Sequence, residues 1–305
     1  MSAEAAATQG PQRTFIRIVA DVAELTRVAA EEVTAALAAA AARTSPPPSF
    51  VLSGGSTPRA LFQMLADPAA PFRERIDWPA IHFFWGDERP VPPDHPDSNY
   101  RMAREAMLDH VPVPAAHVHR IAGEEPVAAA AAAAYERELI AHFALRADRD
   151  GGAQGNGAAH ADGGAHGNGG DGGDGSAMGA GDATIDWPRF DVLLLGLGEE
   201  GHTASLFPGS PALGERRHLV AAPWVEAHQT YRITLTPPAL NHAATVIFLV
   251  SGAAKAAALA GVLEGTDDGA TGAAPQRLQY PAQIIAPVDG RLLWLVDLPA
   301  AARLR

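Results

Sequence analysis

The stretch Phe190-Asp-Val-Leu-Leu-Leu-Gly-Leu-Gly-Glu-Glu-Gly-His-Thr-Ala-Ser-Leu-Phe-Pro208 decides the reading of the fold. Its first six residues, Phe190–Leu195, are a nearly continuous apolar run, the pattern of a strand covered on both faces in a parallel sheet. Gly196 and Gly198 then break the run, and the spacing predicts a helix over His202–Phe207 with His202 at its start. Open α/β sheets bind their ligands outside the carboxyl ends of their strands, so His202 is placed where a ligand is expected. Imidazole is also the side chain best suited to proton transfer near neutral pH.

Outward from this stretch, apolar β-rich runs alternate with Ala-rich helical ones, the signature of βαβ units. Strands are predicted at Phe15–Val19, Ser49–Leu52, Ile81–Trp85, Val118–Ile121, Phe190–Leu195, Leu219–Ala221, Tyr231–Leu235, Thr245–Val250 and Leu292–Val296. Helices are predicted at Asp21–Ala42, Pro58–Leu65, Asn99–Leu108, Pro126–Leu145, His202–Phe207, Pro238–Asn241 and Ala253–Leu263. Ser56-Thr57-Pro58 and Thr236-Pro237-Pro238 put a hydroxyl before a proline suited to a first helical turn. The polyalanine run Ala128–Ala134 reads as helix by propensity alone.

The chain is 305 residues long, and residues 13–305 read as a single α/β domain behind a disordered tail over residues 1–12. Residues 151–182 interrupt that domain: 14 are Gly, four are Asp and none is Lys or Arg, a composition that buries almost nothing and predicts a disordered αβ loop. Such a loop costs closure entropy only logarithmically in its length. His160 and His166 within it read as part of a solvated tract rather than as metal ligands, and Gly265–Ala274 is a further mobile stretch. No cysteine is present, which excludes disulfides and thiol chemistry. With neither a signal-peptide pattern nor an apolar run of about 18 residues, a cytoplasmic, non-membrane protein is expected. The net charge of −12 argues against a nucleic-acid partner, so an anionic ligand must be held by a few local cations.

Three more strand ends carry candidate chemistry. Ser53-Gly54-Gly55-Ser56-Thr57 follows Val51-Leu52 and precedes a helix; its amides and hydroxyls suit either a phosphate cradle or a capped strand-to-helix turn. It lacks the Gly-Lys-Ser/Thr ending of a nucleotide P-loop. The strand Ile81–Trp85 ends in Asp87-Glu88-Arg89, where Arg89 could grip a phosphate and Asp87 or Glu88 could orient it, bind sugar hydroxyls or shift a proton; an ion pair closing the strand end is the alternative. Asp97-Ser98-Asn99-Tyr100 reads as a helix start or, through Asn99, a polar lip of the site. Lys255 is the single lysine, set in the first turn after Val250-Ser-Gly, and reads as a second phosphate cation. For His202 a capping or core role competes with that of a base held by a carboxylate, which the Gly-rich approach and Glu199-Glu200 favour.

Taken together and in order, SGGSTP at Ser53–Pro58, GDERPV at Gly86–Val91, SNY at Ser98–Tyr100, GLGEEGHTASLFP at Gly196–Pro208 and SGAAK at Ser251–Lys255 resemble the 6-phosphogluconolactonase family, from about Phe15 to Leu298. The resemblance implies hydrolysis of 6-phospho-D-glucono-1,5-lactone without metal or organic cofactor. It also implies a Rossmann-like α/β fold of the NagB/RpiA-like type, with a mostly parallel sheet and helices on both faces. By position His202 matches the family's general base, Arg89 and Lys255 its phosphate cations, and Ser53–Thr57 its substrate loop. The family usually has Asp-Gly-His where this chain has Glu200-Gly201-His202, and the extra methylene moves that carboxylate by about a bond length. The implied partner is a small sugar-phosphate lactone, and a monomer or weak homodimer is expected. A glucosamine-6-phosphate isomerase/deaminase would instead call for Asp-Glu-Tyr after the second strand and Asn-Glu-Pro after the histidine, where this chain has Asp87-Glu88-Arg89 and Ser205–Pro208. A non-catalytic sugar-phosphate sensor is the remaining alternative.

Overall fold

A computed structural model describes residues 4–9, 12–43, 46–145, 186–265 and 280–305. The insert 151–182, with His160 and His166, lies outside them, as do residues 266–274 of the second stretch expected to be mobile. The elements in the first half are β1 (Glu4–Gln9), β2 (Gln12–Val19), α1 (Val22–Ala41), β3 (Ser49–Leu52), α2 (Ser56–Ala66), β4 (His82–Trp85), β5 (Asp87–Glu88), α3 (Asn99–Ala106) and α4 (Ala128–Phe143). The second half adds β6 (Val192–Leu195), β7 (Val220–Ala221), β8 (Trp224–Val225), β9 (Thr230–Tyr231), β10 (Ile233–Leu235), α5 (Pro237–Asn241), β11 (Thr245–Val250), α6 (Ala256–Glu264), β12 (Arg291–Asp297) and α7 (Leu298–Ala301).

Seven strands form the central sheet in the order β1-β2-β12-β11-β6-β3-β4. All its pairings are parallel except β1 with β2. The chain steps from β3 to β4 towards one edge, and later from β6 through β11 to β12 towards the other. The reversal falls between β3 and β6, where Phe50 pairs with Val192 and Val51 with Leu193. β3 and β6 are buried at every position, so layers cover both faces there. α1 supplies part of that cover through Leu25, Val28, Ala29, Val33 and Leu37, spaced as one helical face. It starts at Asp21, whose Oδ1 accepts from the Glu24 amide at 2.9 Å, while Glu24 reaches back to the Ala20 amide at 2.9 Å.

Several sequence expectations are corrected. Residues 4–9, assigned to a disordered tail, form β1, which pairs with the otherwise open edge of β2 and satisfies its backbone groups. Val118–Ile121 is not a strand: Val118 makes a single parallel bridge to Phe83. Tyr231–Leu235 divides at Arg232 into β9 and β10, which join different small sheets, β8-β9 and β5-β10-β7. His202–Phe207 is a tight turn rather than a helix, with Ala204 in the left-handed region (φ 45°) and Thr203 bridged to Leu206. Neither predicted hydroxyl cap acts as one: Thr57 Oγ1 shares a hydrogen bond with Ser251 Oγ at 2.8 Å, and Thr236 Oγ1 donates to the His218 carbonyl.

The core is one contiguous cluster, and at its centre Phe248 of β11 and Trp294 of β12, in register, stack at 3.8 Å. Both are fully buried. Replacing Phe248 by Ala removes one half of that stack, and urea denaturation should show a loss of roughly 3–5 kcal/mol.

Candidate active site

β3, β4, β6 and β11 all end at the same side of the sheet, and the loops that follow them enclose a cleft of about 320 Å³. Ser53, Gly54, Gly55, Asp87, Arg89, Asn99, His202 and Lys255 line it. Of the residues singled out in the sequence, Ser56, Thr57, Glu88, Glu199 and Glu200 do not. Ser56 is exposed at the first turn of α2, Thr57 is buried against Ser251, and Glu200 stands behind His202.

The turn after β6 is built around the imidazole. The Gly198 amide donates to the His202 carbonyl at 2.8 Å, and Thr203 Oγ1 donates to the Gly196 carbonyl at 2.9 Å, closing the loop. A Cβ on Gly198 would stand 2.0 Å from His202 Nδ1, so only glycine leaves room for the ring. Gly201 adopts φ +77°, and a Cβ there would also meet the Tyr280 ring at 2.4 Å. Phe207 stacks on the imidazole with ring centroids 4.2 Å apart. Glu200 Oε1 lies 3.0 Å from the buried Nδ1, at ion-pair distance but outside hydrogen-bond geometry.

Burial lowers the His202 pKa below its ordinary 6.5; Glu200 and Asp87 oppose that shift and Lys255 adds to it. The imidazole is therefore neutral at neutral pH and able to accept a proton. Burial disfavours the Glu200 charge, yet its own amide and His202 outweigh that and hold its carboxyl below the usual range.

The other side of the cleft is cationic. Arg89, Arg232 and Lys255 all line it, and among the described residues none of them forms an ion pair with a carboxylate. Arg89 donates to the Asp97 carbonyl at 2.5 Å. Burial, followed by repulsion from Arg89, lowers the pKa of the Arg232 guanidinium. Asp87, Asp97 and Glu88 offset that shift only from beyond ion-pair distance, and two guanidiniums so placed are relieved further by an anion between them. The N-terminus of the eleven-residue α2 adds to this attraction, since Gly55 (φ 109°) caps it without a side-chain bond and leaves its amides free for an anion. Asp87 is the one carboxylate lining the cleft among the described residues. Its Oδ2 accepts from Ser205 Oγ at 2.7 Å and its Oδ1 from Asn99 Nδ2 at 3.3 Å.

Glu88, weighed in the sequence as a partner of Arg89, faces away from the cleft. Only 2 % exposed, its carboxylate accepts from the amides of Arg89, Asn99 and Tyr100, each at 2.8 Å, and from Ser98 Oγ at 3.0 Å. It thereby ties the end of β5 to the start of α3, where Ser98 caps by accepting from the Arg101 amide. Asn99 is thus both the first helical residue and part of the cleft wall. Sequence reasoning missed Arg232, His228, Thr203, Ser205 and Phe207. For Arg232 there was a signal, a lone arginine within an apolar run; His228 had none.

Fold and cleft define an α/β protein of the doubly wound class whose cleft holds a neutral imidazole together with three cations. A profile of the glucosamine-6-phosphate isomerases/6-phosphogluconolactonase family matches residues 20–294. The chain is 38% identical over 261 residues to a 6-phosphogluconolactonase of Synechocystis, covering 84% of this chain and 85% of that protein. It superposes on a 6-phosphogluconolactonase from Trypanosoma cruzi with a TM-score of 0.70 at 29% identity, over 95% of this chain and 96% of the other. A monomeric glucosamine-6-phosphate deaminase shares the fold at 16% identity, with a TM-score of 0.66 over 94% of this chain and 99% of that one. The chain belongs to the glucosamine-6-phosphate isomerase/6-phosphogluconolactonase family. The Synechocystis and Trypanosoma cruzi proteins are lactonases, and this chain is likewise a hydrolase. No helix among the described residues is long and apolar enough to cross a membrane.

Three outcomes follow from this geometry. Glu88→Gln turns an amide N–H₂ towards a shell of donors, and chemical denaturation should show a loss of roughly 2–4 kcal/mol. In the pH profile of turnover, the acid limb should have its midpoint below 6.5, because rate is lost as His202 becomes protonated. Glu200→Gln removes a charge that raises the His202 pKa, so that limb should move to still lower pH.

Proposed function

We propose that the cleft hydrolyses 6-phospho-D-glucono-1,5-lactone to 6-phospho-D-gluconate, the second step of the oxidative pentose phosphate pathway, with His202 as general base. The observation that carries this reading is the pairing, in one cleft, of an imidazole kept neutral by burial with three cations that lack carboxylate partners. An ester with a remote phosphate needs both halves. The names of the relatives point to the same substrate.

In this mechanism His202 takes a proton from a water molecule as its oxygen attacks the lactone carbonyl carbon. The tetrahedral intermediate collapses by breaking the bond from that carbon to the ring oxygen, which receives the proton back from the imidazolium. The carboxylates of Glu200 and Asp87 favour the imidazolium while it exists, and both raise the His202 pKa. Arg89, Arg232 and Lys255 hold the phosphate, assisted by the loop Ser53-Gly54-Gly55-Ser56-Thr57 at the head of α2. The Gly54 and Gly55 amides donate to no acceptor among the described residues. Asn99, held by the Asp87 carbonyl at 2.9 Å, contributes a polar wall for the sugar hydroxyls. Binding energy from the phosphate thus fixes the carbonyl beside the base. A monomer or weak homodimer and a cytoplasmic site of action belong to the same proposal.

The test is a coupled assay that generates the lactone in place and follows its loss above the spontaneous rate. No excess loss would remove the lactonase reading, and ammonia release from glucosamine 6-phosphate would replace it with deamination. His202→Ala should lower kcat by roughly 10²–10⁴-fold while sparing affinity for 6-phosphogluconate. Arg89→Ala and Arg232→Ala should each weaken that affinity by about 10- to 100-fold, the worth of a charged hydrogen bond. The opposite pattern would mean that base and anchors are exchanged.

A further inference from the structure

A second grouping of titratable side chains lies at the other end of β4. His82 opens that strand, whereas Gly86, past its carboxyl end, faces the cleft side of the sheet. His119 is brought beside it by the single bridge between Val118 and Phe83, and its amide donates to the Phe83 carbonyl at 2.9 Å. His142 comes from the last turn of α4, one turn beyond Glu138. One ring nitrogen from each of His82, His119 and His142 lies within 4.8 Å of the others.

The hydrogen bonds fix which nitrogens carry lone pairs. Glu138 Oε1 lies 2.7 Å from His119 Nδ1, so the carboxylate accepts a hydrogen bond from Nδ1–H and the neutral ring carries its lone pair on Nε2. His119 Nε2 is in turn 2.8 Å from His82 Nδ1. His142 Nε2 is buried and has no partner. A carboxylate behind an imidazole is the arrangement that orients a metal-bound histidine, and an orphaned buried nitrogen beside such a pair completes a set of three donors.

Packing alone accounts for the cluster poorly. His117 stacks on His82 with ring centroids 3.9 Å apart, and His142 packs edge-on to His119 at 5.0 Å, so four imidazoles crowd one region. Leucines would fill the space without an unpartnered nitrogen. Neutral imidazoles, by contrast, are the form that ligates a metal.

We propose that His82, His119 and His142 bind one divalent first-row transition ion of the zinc type, in a structural site separate from the cleft. Three imidazoles and a water give the four positions of a tetrahedral ion. Zn–N bonds of about 2.0–2.1 Å place ligand nitrogens roughly 3.3 Å apart; here the His82–His119 pair stands at 2.8 Å and all three nitrogens lie within 4.8 Å. On binding, His82 Nδ1 gives up its proton and Nε2 takes one from solvent, so that its lone pair faces the ion. The ion would clip β4, the segment carrying His119, and α4 to one another. The neighbouring Cys-free surroundings leave nitrogen and oxygen as the donor chemistry.

The test uses the full untagged chain, stripped with a chelator and titrated at neutral pH with Zn²⁺ by calorimetry and with Co²⁺ by visible absorption. One equivalent should bind, Co²⁺ should show the intense bands of a tetrahedral site, and the melting temperature should rise with Zn²⁺ concentration. His119→Ala should weaken binding by at least about 100-fold, and Glu138→Gln, at a half-exposed position that leaves packing intact, by about tenfold. His202→Ala and the double variant His160→Ala/His166→Ala should bind as the parent does. The proposal is overturned if the parent binds no equivalent of Zn²⁺, if Glu138→Gln and His119→Ala both bind as tightly as the parent, or if binding is lost in either control.

Discussion

The pairing of β3 with β6 is the constraint on which the rest depends. Because the chain winds outward in opposite directions from these two strands, the loops leaving them have no crossover helix between them and open a crevice. The Ser53-Gly54-Gly55 loop and the Gly196–His202 loop then face each other across it. Crowding at the first loop forbids a side chain there: a Cβ on Gly54 would stand 1.9 Å from Oδ1 of Asn99, at the start of α3. Shift the register of that pairing and both the imidazole and the amides of α2 lose their common target.

Electrostatics divides the crevice between two tasks. A chain of net charge −12 keeps three cations here without carboxylate partners, so an anion meets attraction in the cleft and repulsion over the protein as a whole. Glu88 and Asp87 are adjacent in sequence yet do different work. The buried Glu88 carboxylate gathers the amides that open α3, while Asp87 turns its charge towards the cleft and the imidazole. Burial raises the Glu88 pKa against the pull of those amides, which shows how far its environment is from water. Desolvation likewise sets His202, and the carboxylates near it moderate that shift without reversing it.

Much of the fold was legible in the sequence. Ser49–Leu52 and Thr245–Val250 were read to the residue, because a strand buried on both faces leaves an apolar run with abrupt ends. The cleft was legible through its glycines, whose spacing marks where backbone must pass close to something else. His202–Phe207 misled because its residues suit a helix, and only the hydrogen bond from Thr203 to Gly196 and the left-handed Ala204 show that the turn closes on itself. Arg232 carried a local signal, but its place in the cleft did not: it sits between two short strands that belong to different sheets, a division no local pattern records.

By itself the sequence determined the alternation of strands and helices, the positions where only glycine is tolerated, and the kinds of side chain at each strand end. These are local properties, set by burial periodicity and backbone sterics. Tertiary structure decided which of those side chains meet. It drew Arg232 to Arg89, sent Glu88 to α3, set Thr57 against Ser251 and gathered three histidines from distant segments, because contacts between residues far apart in the chain follow from strand order and packing.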